Sequence, residues 1–220
     1  MSEMVKVVVD AMGGDNAPEE PVKAAVEAVK EKENIQVILT GVQDVIEAEL
    51  RKYPDYPKDR IRVVHASQVI ETAEPPVMAI QKKKDSSIVV GLNLVKKQEA
   101  DAFVSSGSTG AVLVGGQVIV GRIQGIRRPP LAPLIPTAKG VSLLIDCGAN
   151  VDARPDHLVQ FAQMGSIYME NVVGIKKPRV AIVNNGAEEE KGNALVKATF
   201  PLLKACKDIN FIGSIEARDI

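Results

Sequence analysis

The stretch Ala102-Phe103-Val104-Ser105-Ser106-Gly107-Ser108-Thr109-Gly110 decides the fold of this chain. Its first three residues are typical of a short buried strand, and an apolar run over residues 111–121 follows it. The six residues between them are two glycines, three serines and a threonine, and none has a side chain large enough to build a core. The pattern therefore predicts a strand, a tight turn and a helix, with backbone amides converging where the helix begins.

Such a turn has two interpretations. Amides that point outward at a helix N-terminus, reinforced by the helix dipole, bind phosphate or another oxyanion. An ordinary strand-to-helix turn with a capping hydroxyl has the same composition. The rest of the chain has to decide between them.

Short β-branched runs alternate with helical patterns on both sides of this turn. The first run, residues 5–9, ends at Asp10, and Pro18 with two acidic residues begins the helix that follows. Alternation of this kind requires parallel strands joined by crossovers, so we predict a three-layer αβα sandwich with a mostly parallel sheet, as a single α/β domain over 1–220. Further strands are predicted at residues 35–40, 61–65, 102–104, 141–146, 179–183 and 209–212.

Two segments depart from this alternation. Residues 122–140 show no period, and Pro129, Pro130, Pro133 and Pro136 predict a Pro-rich arm without regular structure. The chain also stops just after a strand and its polar loop, where a crossover helix is expected. We therefore expect an incomplete copy of a larger fold, truncated at its C-terminus, with an exposed apolar patch near that end.

Composition excludes several classes of function. The chain has 220 residues, 45% hydrophobic and 25% charged, in the range of a folded soluble domain. Its 27 basic and 28 acidic residues, with no Trp, give no argument for nucleic-acid binding. Two cysteines do not make a disulfide framework, and no signal peptide precedes the first strand, so we expect a cytoplasmic protein.

Small and polar residues follow four of the predicted strands. Because ligands bind at the carboxyl ends of parallel strands, these loops predict a cleft at one edge of the sheet. The sequence contains no P-loop, no G-x-G-x-x-G after the first strand, no H-E-x-x-H, no paired C-x-x-C and no G-x-S-x-G, so we predict neither a metal nor a cofactor. The four loops are residues 10–15, 105–110, 146–150 and 184–188.

Few side chains in these loops are chemically active. Cys147 lies beside Asp146, whose charge disfavours a thiolate, so we interpret it as a structural thiol. His157, in the first turn of a predicted helix, is a site candidate or a plain helix-start residue. Lys191 follows three glutamates and precedes a helix; it belongs to a solvated charge run, or it offsets charge on a reacting oxygen. The basic cluster Lys82, Lys83 and Lys84 is likewise a solvated surface or a docking patch for an acidic carrier protein.

Taken in order and spacing, a set of motifs in this chain resembles one family, the bacterial phosphate acyltransferases of phospholipid synthesis (the PlsX type). The resemblance runs from about residue 5 to residue 219. Departures occur at Cys147, where a small apolar residue is expected, and at Asn185 and Ala187, and the family's members continue beyond Ile220. The matching motifs are D-A-M-G-G-D at 10–15, S-S-G-S-T-G at 105–110, G-R-I at 121–123, R-P at 128–129, Asp146, G-A-N-V-D-A at 148–153, Pro155, H-L-V-Q at 157–160, K-G-N at 191–193 and E-A-R-D at 216–219.

The resemblance implies a fold like that of isocitrate and isopropylmalate dehydrogenases. It implies transfer of a fatty acyl group from acyl carrier protein to inorganic phosphate, giving an acyl phosphate for phospholipid synthesis. A homodimer with peripheral contact at the inner face of the membrane is also implied. Three alternatives stay open: a phosphate acetyl- or butyryltransferase that uses coenzyme A, a dehydrogenase on the same fold, and a non-catalytic module that binds the carrier protein.

Site residues follow from the four loops and from the resemblance together. We assign Lys191, Asn193 and His157 to catalysis. Phosphate and acyl binding are assigned to Asp10, Gly13, Gly14, Asp15, Ser106, Gly107, Ser108, Thr109, Gly110, Asp146, Asn150, Gly186 and Glu188, and carrier-protein docking to Lys82, Lys83, Lys84, Arg122 and Arg128.

Overall fold

The computed structural model describes residues 3–220, which divide into two compact units that meet in sequence between Ile123 and Gln124. The single domain over 1–220 stays a prediction, and each unit is described by itself. Unit 1 contains β1 (Val5–Asp10), α1 (Glu19–Glu31), β2 (Ile35–Gly41), α2 (Gln43–Leu50), β3 (Ile61–His65), α3 (Pro76–Lys82), α4 (Ser87–Lys96), β4 (Ala102–Val104) and α5 (Thr109–Gly115), with a 3₁₀ turn at Lys58–Arg60 and a π-helical turn at Gly116–Val120.

The four strands of unit 1 form one parallel sheet in the order β3-β2-β1-β4. Strand β1 is therefore central, with Val9 paired to Val104 of β4 on one side. Because the strands are parallel, the chain leaves β1 and β4 at the same edge of the sheet. The loops after Asp10 and Val104 consequently start side by side.

Helices cover both faces of this sheet. Successive residues of β2 point in opposite directions: Val37 packs with α1, whereas Ile38 packs with Leu94 of α4. Along α1, residues at helical spacing face the sheet and are at most 2% exposed, and each fully buried Val contributes about 1.5–3 kcal/mol. The predicted α/β class with a mostly parallel central sheet is thereby confirmed. These α1 residues are Val22, Ala25, Val26 and Val29.

Unit 2 combines a hairpin with a second parallel strand pair. Strands β7 and β8 are parallel, and Ile182 of β7 packs with Ala162, Phe200 and Leu203 from two helices. The elements are β5 (Leu134–Thr137), β6 (Gly140–Leu143), α6 (Pro155–Asn171), β7 (Arg179–Asn184), α7 (Ala194–Ala205), β8 (Asn210–Glu216) and a 3₁₀ turn at Ala217–Asp219.

The prediction of an irregular arm over 122–140 is wrong for residues 134–137. These residues form β5, which pairs antiparallel with β6, so that Pro136 lies opposite Val141. Each strand of a two-stranded hairpin is an edge strand, where a residue without an N–H is tolerated. The predicted strand 141–146 correspondingly ends at Leu143, although Cys147 N–H still donates to Leu131 O at 2.8 Å.

The last strand is longer than predicted. The strand expected at 209–212 covers Asn210–Glu216, so residues 214–216, expected in the loop that follows it, continue β8, and Glu216 pairs with Asn184 at the end of β7. The pairing register shifts by one residue between Val180 and Ala181, which pair with Phe211 and Gly213, and Gly213 has φ +103°. The partner strand, rather than local polarity, sets the length of β8. Across residues 3–220, no helix combines the length and the apolar character that crossing a bilayer requires.

Candidate active site

The loops after β1 and β4 touch through their backbones. A Cβ atom added to Gly13 would lie 2.8 Å from the backbone nitrogen of Gly107 and 2.6 Å from Asp10 Oδ2. A Cβ atom on Gly107 would in turn lie 3.2 Å from the Cα atom of Gly13. Only glycine at position 13 allows this approach, so two predicted site residues 94 positions apart are brought into direct contact.

Hydrogen bonds to one carboxylate join the same two loops. Asp10 is 1% exposed, and its Oδ1 accepts from Met12 N–H at 3.1 Å while its Oδ2 accepts from the Ser105 hydroxyl at 2.7 Å. Ser105 Oγ then accepts from Gly107 N–H at 3.0 Å. Ser105 was not among the predicted site residues. The signal that could have found it is its position: Asp10 ends one strand, and Ser105 is the first residue after the neighbouring one.

The remaining residues of the β4 loop divide into buried and exposed positions. Ser108 is 3% exposed and caps α5, its Oγ accepting from Ala111 N–H at 3.3 Å. Ser106 and Thr109 are exposed. Of these three residues, Ser106 and Thr109 therefore present their hydroxyls at the surface, and Ser108 uses its hydroxyl within the turn.

Two glycines, Gly110 in this loop and Gly14 in the β1 loop, allow close packing around the β4 loop. A Cβ atom on Gly110 would lie 2.5 Å from Cγ of Pro76, the first residue of α3. Gly14 has φ +101° and lies beside Ser106, where an added Cβ atom would be 3.1 Å from the Ser106 Cβ atom. Gly14 and Asp15 are both exposed. The predicted residues of unit 1, Asp10 to Asp15 and Ser106 to Gly110, thus lie together at one edge of the sheet, with Gly14, Asp15, Ser106 and Thr109 exposed there.

In unit 2, Asp146 organises the base of the arm. Its Oδ1 accepts from the backbone N–H groups of Leu131 (2.7 Å) and Ala149 (3.3 Å). Its Oδ2 accepts from the backbone N–H (2.7 Å) and the side-chain amide (3.2 Å) of Asn150, and that amide also reaches Pro129 O at 3.1 Å. Asp146 and Asn150 are brought together as predicted, but both Asp146 oxygens and the Asn150 side-chain NH₂ group are engaged within this turn and with the arm.

His157 lies in the first turn of α6 and is 2% exposed. Its Nδ1 accepts from the backbone N–H of Arg154 at 3.3 Å, and its ring packs against Phe161 with centroids 6.4 Å apart. Burial lowers the pKa of His157, and the cations of Arg154, Arg128 and Arg127 lower it further, while Asp156 opposes them. The ring is therefore neutral at pH 7 and supports the helix start; its catalytic role stays a prediction.

Lys191 is exposed and lies in the loop between β7 and α7. Its aliphatic stem crosses Gly186, where an added Cβ atom would lie 2.9 Å from Lys191 Cγ and 2.8 Å from Glu188 Oε2. Asn193 caps α7, its Oδ1 accepting from Val196 N–H at 2.9 Å, so the amide NH₂ group is the donor it has left for a ligand. Gly186, Glu188 and Lys191 are thus brought together in unit 2, as the sequence predicted.

The predicted docking residues differ in how their charges are engaged. Lys83 Nζ pairs with Glu74 at 2.5 Å and donates to Val69 O at 2.6 Å, and Lys84 Nζ donates to Ile80 O at 3.1 Å. The Lys83 hydrogen bond lowers the pKa of Glu74. Lys82, Arg122 and Arg128 are exposed.

Two arginines that were not predicted lie at the start of α6. Arg127 pairs with Asp156, and Arg154 Nε lies 3.5 Å from the same carboxylate. Arg127 N–H also donates to Gln160 Oε1 at 3.0 Å. One carboxylate therefore holds two guanidinium groups beside Arg128, and unit 2 carries a cationic surface there.

Two further features lie apart from the predicted residues. An apolar cavity of about 190 Å³ in unit 2 is lined by Pro130, Leu143, Ile145, Met164 and Tyr168 among others, none of them a predicted site residue. Within residues 3–220, no group of three or more His, Cys, Asp or Glu side chains could hold a metal ion. Cys147 is exposed in the loop that follows β6.

Several known proteins are similar to this chain. A protein named phosphate acyltransferase from Alkaliphilus oremlandii is 55% identical over 218 residues, which are 98% of this chain and 64% of the relative. A protein of the same name from Clostridium botulinum is 53% identical over 216 residues, covering 98% and 65% of the two chains. The chain thus spans less than two thirds of the length of these relatives.

Solved structures confirm the fold. A phosphotransacetylase from Streptococcus pyogenes superposes with a TM-score of 0.72 at 18% identity, covering 97% of this chain and 68% of the other. EutD phosphotransacetylase from Staphylococcus aureus superposes with a TM-score of 0.68 at 17% identity, covering 97% and 69%. The model of the family described as "Fatty acid synthesis protein" matches residues 5–220. The chain belongs to this fatty acid synthesis protein family, whose members similar to it are named phosphate acyltransferases.

Proposed function

We propose that this chain carries the phosphate acyltransferase activity for which its relatives are named. A fatty acyl group would move from the thioester of acyl carrier protein to inorganic phosphate. The observation that carries the proposal is the backbone contact between Gly13 and Gly107, because it fixes two small-residue loops at the carboxyl edge of the sheet. Ligands bind at this edge in open α/β sheets.

In unit 1, phosphate is assigned to the surface formed by these two loops. Ser106 and Thr109 offer exposed hydroxyls, and Gly110 allows close approach of the backbone. Asp15 and Gly14 border the same surface. Hydrogen bonds from these hydroxyls to phosphate would be charge-assisted, because the acceptor is an anion.

In unit 2, Lys191 and Asn193 are the candidates for contacting the carbonyl oxygen of the thioester. The lysine ammonium would stabilise the oxyanion that develops on the carbonyl oxygen, and the Asn193 amide would donate a second hydrogen bond. His157, neutral and buried, is a candidate for orienting these groups.

The reaction needs neither a metal nor a covalent enzyme intermediate. A phosphate oxygen attacks the thioester carbonyl carbon and a C–O bond forms. The tetrahedral oxyanion then collapses, the C–S bond breaks, and the thiolate leaves and takes up the proton that HPO₄²⁻ has brought. Holding the two reactants in place can supply about 7–11 kcal/mol of the barrier reduction.

Docking of the acidic carrier protein is assigned to the cationic surface residues Lys82, Arg122 and Arg128, with Lys83 and Lys84 beside the first of them. A homodimer, a cytoplasmic location and peripheral contact with the inner face of the membrane belong to the same proposal. Light scattering of the purified chain and co-sedimentation with anionic vesicles test the dimer and the membrane contact.

A second candidate, a phosphotransacetylase that uses coenzyme A, is favoured by the likeness of fold to proteins of that name. A third is a module that binds the carrier protein without catalysis. Trapping acyl phosphate with hydroxylamine, with acyl carrier protein or acyl coenzyme A as donor, separates all three. We expect product with the carrier protein; product with coenzyme A alone would favour the second candidate, and carrier binding without product the third.

A further inference from the structure

Ser105 links two groups that the sequence separates by almost 100 residues. Its hydroxyl donates to Asp10 Oδ2 at 2.7 Å, so the hydroxyl proton lies on the Asp10 side. Its lone pairs face the loop, where they accept from Gly107 N–H at 3.0 Å. Through these two hydrogen bonds, Ser105 links the buried Asp10 carboxylate to the backbone of the β4 loop.

This linkage decides which groups of the loop face a ligand. The Gly107 amide donates to Ser105 Oγ, and the Ser108 hydroxyl caps α5 by accepting from Ala111 N–H. Exposed hydroxyls are those of Ser106 and Thr109, on either side of these two residues. Gly107 and Ser108, which these two hydrogen bonds hold, therefore lie between the two exposed residues.

The same linkage satisfies the hydrogen-bonding capacity of a buried side chain. Asp10 is 1% exposed and accepts from two donors, the Ser105 hydroxyl and the Met12 amide. A buried carboxyl oxygen that is left without a donor destabilises the fold, so this hydroxyl also stabilises the arrangement of the two loops. The Ser105 hydroxyl occupies the oxygen that faces the loop.

We propose that Ser105 is a positioning residue for the oxyanion substrate: through Asp10 and Gly107 it sets the loop orientation in which Ser106 and Thr109 receive inorganic phosphate. This inference rests on the proposed function. Ser105 itself contacts no reacting atom.

The experiment measures binding of inorganic phosphate by calorimetry and the KM for phosphate against kcat. Ser105→Ala removes the hydroxyl and with it the hydrogen bond to the Asp10 carboxylate that orients the loop. Because a hydrogen bond to a charged group is lost, phosphate binding should weaken about 10- to 100-fold. The KM for phosphate should rise with it, while kcat at saturating phosphate changes less. Ser105→Thr keeps the hydroxyl and should restore binding.

Ser67 provides a matched control, because its hydroxyl donates to Asp85 Oδ2 at 2.6 Å in a similar Ser–Asp pair after β3. Ser67→Ala should leave phosphate affinity unchanged. Should Ser105→Ala fail to fold, amide NMR of the unmodified chain replaces it: phosphate should shift the amide signals of Ser106 and Thr109 and leave Gly107 protected from exchange. Unchanged affinity in Ser105→Ala, or loss of Gly107 protection on phosphate binding, would overturn the inference.

The two proposals fail in different ways. If the chain binds phosphate in a Ser105-dependent manner but forms no acyl phosphate, the function is wrong and the positioning role stands. If acyl phosphate forms equally well in Ser105→Ala, the function stands and the role of Ser105 is wrong. Absence of phosphate binding by the unmodified chain contradicts both.

Discussion

Asp146 Oδ1 accepts a hydrogen bond from the backbone N–H of Leu131 at 2.7 Å, and this bond joins the Pro-rich arm to the turn that follows β6. Its other oxygen holds Asn150. We expect Asp146→Ala to release the base of the arm and to lower the free energy of unfolding by about 1–3 kcal/mol, because backbone donors lose their acceptor. Faster hydrogen exchange at Leu131 and Asn150 is the measurement. Asp152→Ala, at an exposed aspartate, is the control variant. Equal exchange rates in Asp146→Ala and Asp152→Ala would contradict the role of Asp146.

Gly13→Ala should disrupt the contact between the β1 and β4 loops. The added methyl group would lie 2.6 Å from Asp10 Oδ2 and 2.8 Å from Gly107 N, so the backbone has to move. Overpacking of this kind costs about 1–3 kcal/mol, measured by denaturant unfolding. Gly116→Ala is the matched control: Gly116 is helical, with no atom near its Cβ position, and alanine there should stabilise by about 0.5–1 kcal/mol. A neutral Gly13→Ala would show that the loops are not locked.

Stability should depend on pH through His157. Its pKa is lower in the folded chain than in the unfolded chain, so the unfolded state binds the proton first. The free energy of unfolding should therefore be highest above about pH 6.5 and fall as the pH drops below it, by at most about 1.4 kcal/mol per pH unit. Urea titrations from pH 7.5 to 5 measure this slope.

The slope should be smaller in His157→Gln and unchanged in a variant of the other histidine. His65 is exposed and accepts from Gln43 N–H at 3.3 Å, so His65→Gln is the control. An identical slope in His157→Gln would assign the pH dependence to other groups.

Lys191→Ala tests the proposed oxyanion stabilisation. Loss of one such donor typically lowers the rate about 10²–10³-fold, and we expect kcat to fall by that factor while carrier binding persists. Lys197→Ala, an exposed lysine within α7, should retain activity. Near-normal turnover of Lys191→Ala would remove this residue from the mechanism.

Charge reversal at the docking residues should weaken the carrier complex. Arg128→Glu or Lys82→Glu is expected to raise the KM for acyl carrier protein about two- to fivefold, the range of exposed ion pairs, and to flatten its salt dependence. Lys30→Glu is the control because Lys30, in the last turn of α1, is an exposed lysine that is not among the docking residues. A KM that does not respond in the docking variants would place the carrier elsewhere.

Sequence patterns predicted the elements whose signals are local. The helical spacing of apolar residues predicted α1, which packs on the sheet, and the β-branched run predicted β1, which lies within the sheet. Both elements are found. Strand β5 was missed because Pro136 opposes strand structure locally, while its pairing with Val141 depends on a partner further along the chain. Ser105 and Arg127 were missed for the same reason: their partners, Asp10 and Asp156, are 95 and 29 residues away.

The contact between Gly13 and Gly107 has a consequence for engineering. Neither turn is held by its own hydrogen bonds alone, because the backbone of each turn packs directly against the other. A designer who transplants the serine-rich turn into another scaffold has to carry the aspartate-bearing turn with it, in the same strand register, or the hydroxyls will face in unintended directions.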